Sequence, residues 1–70
     1  MTGTLVKMKR PCYLYYTDVT WNGSAERILH QNSLMIILHT KRTKYKQQII
    51  EGITVDGLRG WLSLDDVDFI

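Results

Sequence analysis

The chain holds a single cysteine, a single proline and a single phenylalanine in 70 residues. One thiol excludes an internal disulfide and leaves no second cysteine to share a metal, so a reduced, cytoplasmic protein is the default. No apolar run approaches the roughly 20 residues that a membrane span requires, and Met1-Thr2-Gly3-Thr4 lacks the basic-then-apolar order of a secretory signal. A membrane partner is not expected. Charge of one sign is also scarce: nine Lys and Arg against seven Asp and Glu leave a net +2, too little to name a partner. Repeats, linkers and low-complexity stretches are missing, which makes residues 1–70 one domain. What is present is apolar content of 44%, enough to argue against disorder. A domain of this size nevertheless buries only about 60% of the surface its unfolded chain exposes, so its stability is marginal unless a partner adds to it.

The apolar residues alternate with polar ones in short runs. Leu5-Val6-Lys7-Met8-Lys9 opens a strand that Pro11 interrupts, because proline cannot donate to a ladder. Cys12-Tyr13-Leu14-Tyr15-Tyr16 resumes it. Residues 17–24 carry Asp18, Asn22 and Gly23 and read as a loop with one large apolar passenger, Trp21. Residues 24–32 fit either a two-turn helix capped by Ser24 or a short strand entering a turn at Gln31-Asn32-Ser33. Leu34-Met35-Ile36-Ile37-Leu38 is apolar in both alternation phases, which predicts a central strand covered on both sides. Residues 39–44 then form a basic turn, residues 45–50 the returning strand, and Gly52 a bulge or bend. Asp56-Gly57 is a two-residue hairpin signal requiring positive φ at both positions. Ser63, followed by Asp65 and Asp66, caps one short helical turn. The sum is an all-β barrel of about five short antiparallel strands with a one-turn helix near the C-terminus.

Catalytic patterns are thin. His30 and His39 lie nine apart and match no metal-ligand spacing, so structural histidines are the plainer reading. Cys12 reads as a small buried hydrophobe, and Ser24 lacks the second glycine of a nucleophile elbow. Asp65, Asp66 and Asp68 are explained by capping and solvation. No enzymatic activity, cofactor or metal is expected. Binding features are richer: four tyrosines and two tryptophans make six amphipathic rings in a small chain. Trp61 is expected in the core, and Tyr13, Tyr15 and Trp21 on a shared docking surface for a protein partner. Charge is clustered as well, with Lys7, Lys9 and Arg10 near the start and four aspartates in the last fifteen residues. Lys41, Arg42, Lys44, Tyr45 and Lys46 combine cations with an aromatic, the ingredients of a single-strand nucleic-acid site.

The ending resembles the Src-homology-3 (SH3) superfamily: a Gly-containing turn at Asp56-Gly57, a Gly-aromatic strand at Gly60-Trp61-Leu62, a one-turn helix over residues 63–66, and a last strand carrying Val67. Tyr13-Leu14-Tyr15-Tyr16 is similar to the family's aromatic first strand, and residues 17–26 sit where its long first loop falls. Gly3-Thr4-Leu5-Val6-Lys7 together with Gly60-Trp61 and Asp65-Asp66-Val67 also resembles small stand-alone barrels common in bacteriophage genomes, which implies association with a virion as an alternative to a free cytoplasmic protein. The resemblance implies an SH3-like barrel. It does not carry over proline-motif binding, since Lys44-Tyr45-Lys46 stands where peptide-binding members have paired tryptophans, and Ser63 and Asp66 stand where they have Pro and Tyr. The expectation is a non-enzymatic protein-interaction module, adaptor or assembly subunit, with a homo-oligomer open and a nucleic-acid-binding barrel as the alternative.

Overall fold

A computed structural model of the chain describes residues 2–15 and 25–70. Among them are seven strands and one short 3-10 helix: β1 (Leu5–Met8), β2 (Cys12–Tyr15), β3 (Ala25–Leu29), β4 (Leu34–Arg42), β5 (Gln48–Thr54), β6 (Arg59–Ser63), the 3-10 turn Leu64–Asp66, and β7 (Val67–Phe69). The strand count is seven, not five, because Pro11 splits the first expected strand and because Ala25–Leu29 forms a strand rather than a helix. Every pairing is antiparallel, in the order β3-β2-β6-β5-β4-β1-β7.

Chain length forces this sheet to curl. β1 and β2 stand four places apart in the sheet order, which in a flat sheet is about 19 Å at ~4.8 Å per strand. Four residue steps separate Met8 from Cys12, and an extended chain covers at most about 14 Å in that distance. The two strands can coexist only if the sheet rolls up, and it closes into an all-strand half-barrel compatible with SH3-like or OB-like barrels. The ladders of β1 continue beyond the strand: Met8 donates to the Ser33 carbonyl and Asn32 to the Met8 carbonyl on the β4 side, and Lys9 donates to the Asp66 carbonyl on the β7 side.

The inner face supplies the core, with Val6, Met8, Cys12, Leu14, Leu29, Met35, Ile37, Ile50, Leu62 and Val67 packed together. These positions follow period-two alternation on β1, β2, β4 and β6. Cys12 is buried here as a hydrophobe, its thiol donating to Met8 Sδ at 3.4 Å. Gly52 faces Ile37 on one side and Gly60 on the other. A Cβ at Gly52 would collide with the Met35 side chain and lie 2.9 Å from the Ile36 carbonyl oxygen, so the close approach of β4 to β5 requires glycine. The bulge expected near Gly52 falls on the opposite strand, between Ile37 and His39.

Turn chemistry follows the residues with one correction. Gly57 has φ of 89°, but Asp56 does not share the left-handed region, so Asp56-Gly57 is not a two-residue turn. Gly57 donates to the Thr54 carbonyl and Thr54 donates to the Leu58 carbonyl, giving a three-residue loop closed by a left-handed glycine. The β4–β5 loop repeats the design: Lys46 donates to the Thr43 carbonyl, Thr43 donates to the Gln47 carbonyl, and Lys46 has φ of 63°. The predicted basic turn therefore divides, with Lys41 and Arg42 on the end of β4 and Lys44 to Lys46 in the loop. Tyr45 sits at the loop tip rather than in the returning strand, which begins at Gln48.

Candidate functional site

Alternation decides where the β2 aromatics go. Cys12 and Leu14 take the inner face, so Tyr13 and Tyr15 take the outer one, their ring centroids 6.3 Å apart and tilted by 51°. Tyr13 opposes the exposed Ile28 on β3, and Tyr15 opposes Trp61 on β6. Trp61 is half-buried on that outer side and does not join the core cluster expected to contain it.

Beside the tyrosines lies an open cleft of about 450 Å³, lined by Pro11, Tyr13, Tyr15, Gln47, Ser63 and Asp65 among others. The Ser63 hydroxyl builds its far wall: it accepts from the Asp65 N–H at 3.2 Å, capping the 3-10 turn, and from Gln47 Nε2 at 3.3 Å. One hydroxyl thus ties the turn to the β4–β5 loop. The electrostatics are asymmetric. Asp66 is engaged by Arg10 at 2.9 Å, and Asp68 lies 3.9 Å from Lys9. The N-terminal cations and C-terminal carboxylates, separate clusters along the sequence, pair off in space. Asp65 is exposed and has no ion pair among the described residues. Burial pushes the Cys12 thiol at the cleft floor up to about 11, with Asp66 adding to the shift and Arg10 opposing it.

The basic cluster is a separate surface. Tyr45 is 72% exposed, and Lys44 Nζ stands 5.2 Å from its ring centroid. Lys44 and Lys46 have no carboxylate partner among the described residues. His39 Nε2 lies 3.6 Å from Glu51, which also accepts from Arg59 Nε at 3.1 Å. His30 and His39 are both exposed, and no group of three His, Cys, Asp or Glu fit for a metal occurs among the described residues.

The structure brings Tyr13 and Tyr15 together as the sequence predicts, while Trp21, the third member of that set, lies outside the described residues. It adds Gln47, Ser63 and Asp65, which sequence reading assigned only to the returning strand and a capped turn. Nothing in a linear pattern signals that Gln47 and Ser63 meet across 16 positions. Compared with known proteins, the chain matches no family model, no curated protein and no solved structure.

Proposed function

We propose that the protein is a non-enzymatic interaction module of SH3-like type, which holds an extended segment of a partner protein in the cleft beside Tyr13 and Tyr15. The supporting observation is the position of that cleft, between the aromatic arm leading into residues 16–24, the β4–β5 loop and the 3-10 turn. Paired tyrosine rings supply anchor area at low entropic cost, since each has only two side-chain torsions to fix. Asp65, without an ion pair among the described residues, favours a cationic residue in the bound segment, and the Gln47 and Ser63 side chains offer hydrogen bonds to its backbone. No tryptophan is among the residues lining the cleft, and its proline is Pro11 rather than one at the position of Ser63, so the arrangement that shapes polyproline-binding sites is not reproduced and the segment is not a proline-rich one.

Selection from a random peptide library, followed by chemical-shift mapping, tests this. Selected peptides should carry Lys or Arg and shift Tyr13, Tyr15, Gln47, Ser63 and Asp65, and Tyr13→Ala should weaken them by about 2 kcal/mol, roughly 30-fold. Peptides that map elsewhere, or saturable binding from a proline-rich library, would refute the assignment.

Exposed Tyr45 among Lys41, Arg42, Lys44 and Lys46 favours single-stranded nucleic acid as the second reading. On the first reading, oligonucleotides bind this loop only weakly at physiological salt. Micromolar binding that falls steeply with salt and disappears when the four cations are replaced would reverse the ranking.

A further inference from the structure

β4 was expected to be covered on both sides, and it is covered on one. Met35 and Ile37 are fully buried, while Leu34 is 37% and Ile36 43% exposed. Their neighbours on the outer face are also aliphatic. The ladders align Leu5, Ile36 and Ile53 in one cross-strand row, with Leu5 40% exposed. On the register that pairs Thr54 with Met35, Val55 falls beside Leu34, and it is 77% exposed. Ile70 donates its N–H to the Leu5 carbonyl and extends the row at its other end. Charge appears only at the margins, as Lys7, which opposes Leu34 and Asp68, and as Arg59, which opposes Ile53.

The geometry points to this face of β1, β4 and β5 as the seat of an isologous homodimer. Its size fits: these side chains expose on the order of 500 Å² of apolar surface, near the upper end for one patch on a monomer. A standard interface buries about 800 Å² per partner with a core that is roughly two-thirds apolar, which this patch would supply. Its pattern is self-complementary as well. A two-fold axis along β4 lays Leu34 and Ile36 on the same residues of the second copy and Leu5 on the second copy's Ile53, so branched aliphatics of similar volume meet at the centre, while at the margins Val55 meets the aliphatic stem of Lys7 and Ile70 that of Arg59. Leu5, Leu34, Ile36 and Ile53 carry no hydrogen-bonding or charged side-chain group, so the centre of the patch matches an aliphatic surface like its own. The surface is distinct from the Tyr13–Tyr15 cleft and does not depend on it.

Sedimentation equilibrium of the full chain, from low micromolar to near-millimolar concentration, tests the assignment. The wild type should show twice the chain mass at the upper end with concentration-dependent dissociation, and Ile36→Lys should remain at the monomer mass with unchanged strand signal in circular dichroism. Should Ile36→Lys fail to fold, Leu34→Glu, at the edge of the patch, reads the same interface. A wild type that stays monomeric throughout overturns the proposal, as does an Ile36→Lys dimer of undiminished affinity.

Discussion

Gly52→Ala adds one methyl group to the middle of β5, and two opposing effects set its outcome. Alanine loses less backbone entropy on folding than glycine, a gain of about 0.5–1 kcal/mol. Against it stands the geometry: the new Cβ collides with Sδ and Cγ of fully buried Met35 and lies 2.9 Å from the Ile36 carbonyl oxygen. The methionine can change rotamer, but only into a core already packed, and the carbonyl belongs to a strand held on both sides by ladders. Overpacking of this kind costs about 1–3 kcal/mol, and the presence of a backbone atom among the clashes places it at the upper end, so about 2 kcal/mol net remains. For a domain of this length that lowers Tm by roughly 8–16 °C. Urea unfolding followed by circular dichroism measures it. A double-mutant cycle with Met35→Ala then isolates the clash: removing the methionine alone costs about 2–5 kcal/mol, and the double variant should cost distinctly less than the sum. Gly52→Ala within about 0.5 kcal/mol of wild type, or strict additivity with Met35→Ala, would refute the close approach of β4 and β5 at Gly52.

Gly57→Val should destabilise by about 2 kcal/mol or more, because a β-branched residue is placed at φ of 89° where only glycine is at ease, and wild-type stability in denaturant would mean the β5–β6 loop is built differently. Lys46→Gly should do the reverse, raising stability by up to about 1 kcal/mol by relieving a left-handed lysine in the sister loop, and a loss would show that the lysine side chain contributes more than its backbone costs. Native Cys12 should resist alkylation by iodoacetamide at neutral pH and react only on unfolding, since its thiol titrates near 11; rapid labelling of the folded protein would contradict its burial. The same shift has a signed consequence: between about 9 and 11 the folded state retains a proton that the unfolded state releases, so the Cys12 contribution to stability declines as pH rises through that window, and Cys12→Ala should flatten the decline.

Period-two alternation and turn residues carried most of the architecture. β1, β2, β6 and the capped 3-10 turn lie where Pro11, Tyr13, Asp56-Gly57 and Ser63 put them, because each of those residues restricts the backbone locally, whereas β5 begins at Gln48 rather than Tyr45 and runs unbroken through Gly52 to Thr54. Residues 24–32 were undecided for the corresponding reason: Ser24 is a good helix cap and Ile28-Leu29 good strand residues, and neither local preference is strong. Pairing with β2 decides in favour of the strand, Cys12 facing Leu29 and Tyr13 facing Ile28. The extent of β4 was misjudged because polar His39 and Thr40 with basic Lys41 and Arg42 look like a turn, whereas a strand that runs past the core edge needs no apolar residue to continue its ladder with β5. The placement of Trp61 failed similarly, since a large aromatic implies burial but alternation from buried Leu62 sends it outward.

The candidate site was legible by halves. Which tyrosines share a face is a property of one strand, so the spacing of Tyr13 and Tyr15 contained it. That Ser63 caps a turn while accepting from Gln47, and that Arg10 pairs with Asp66 at the cleft and leaves Asp65 without an ion pair among the described residues, are properties of the rolled sheet, set by loops closing over 16 and 56 positions. The error about β4 has the same origin and is the most informative. An apolar residue in both alternation phases states that two faces need cover, and a lone barrel of this size has an inside for only one of them. Among the described residues, seven strands leave Leu5, Leu34, Ile36 and Val55 partly exposed on the outside. The second phase of that alternation therefore lies on the outer face, and the patch it creates lies among aliphatics rather than with the tyrosines. The sheet thus presents two outer surfaces of different chemistry, an aliphatic one over β1, β4 and β5 and an aromatic one beside Tyr13 and Tyr15.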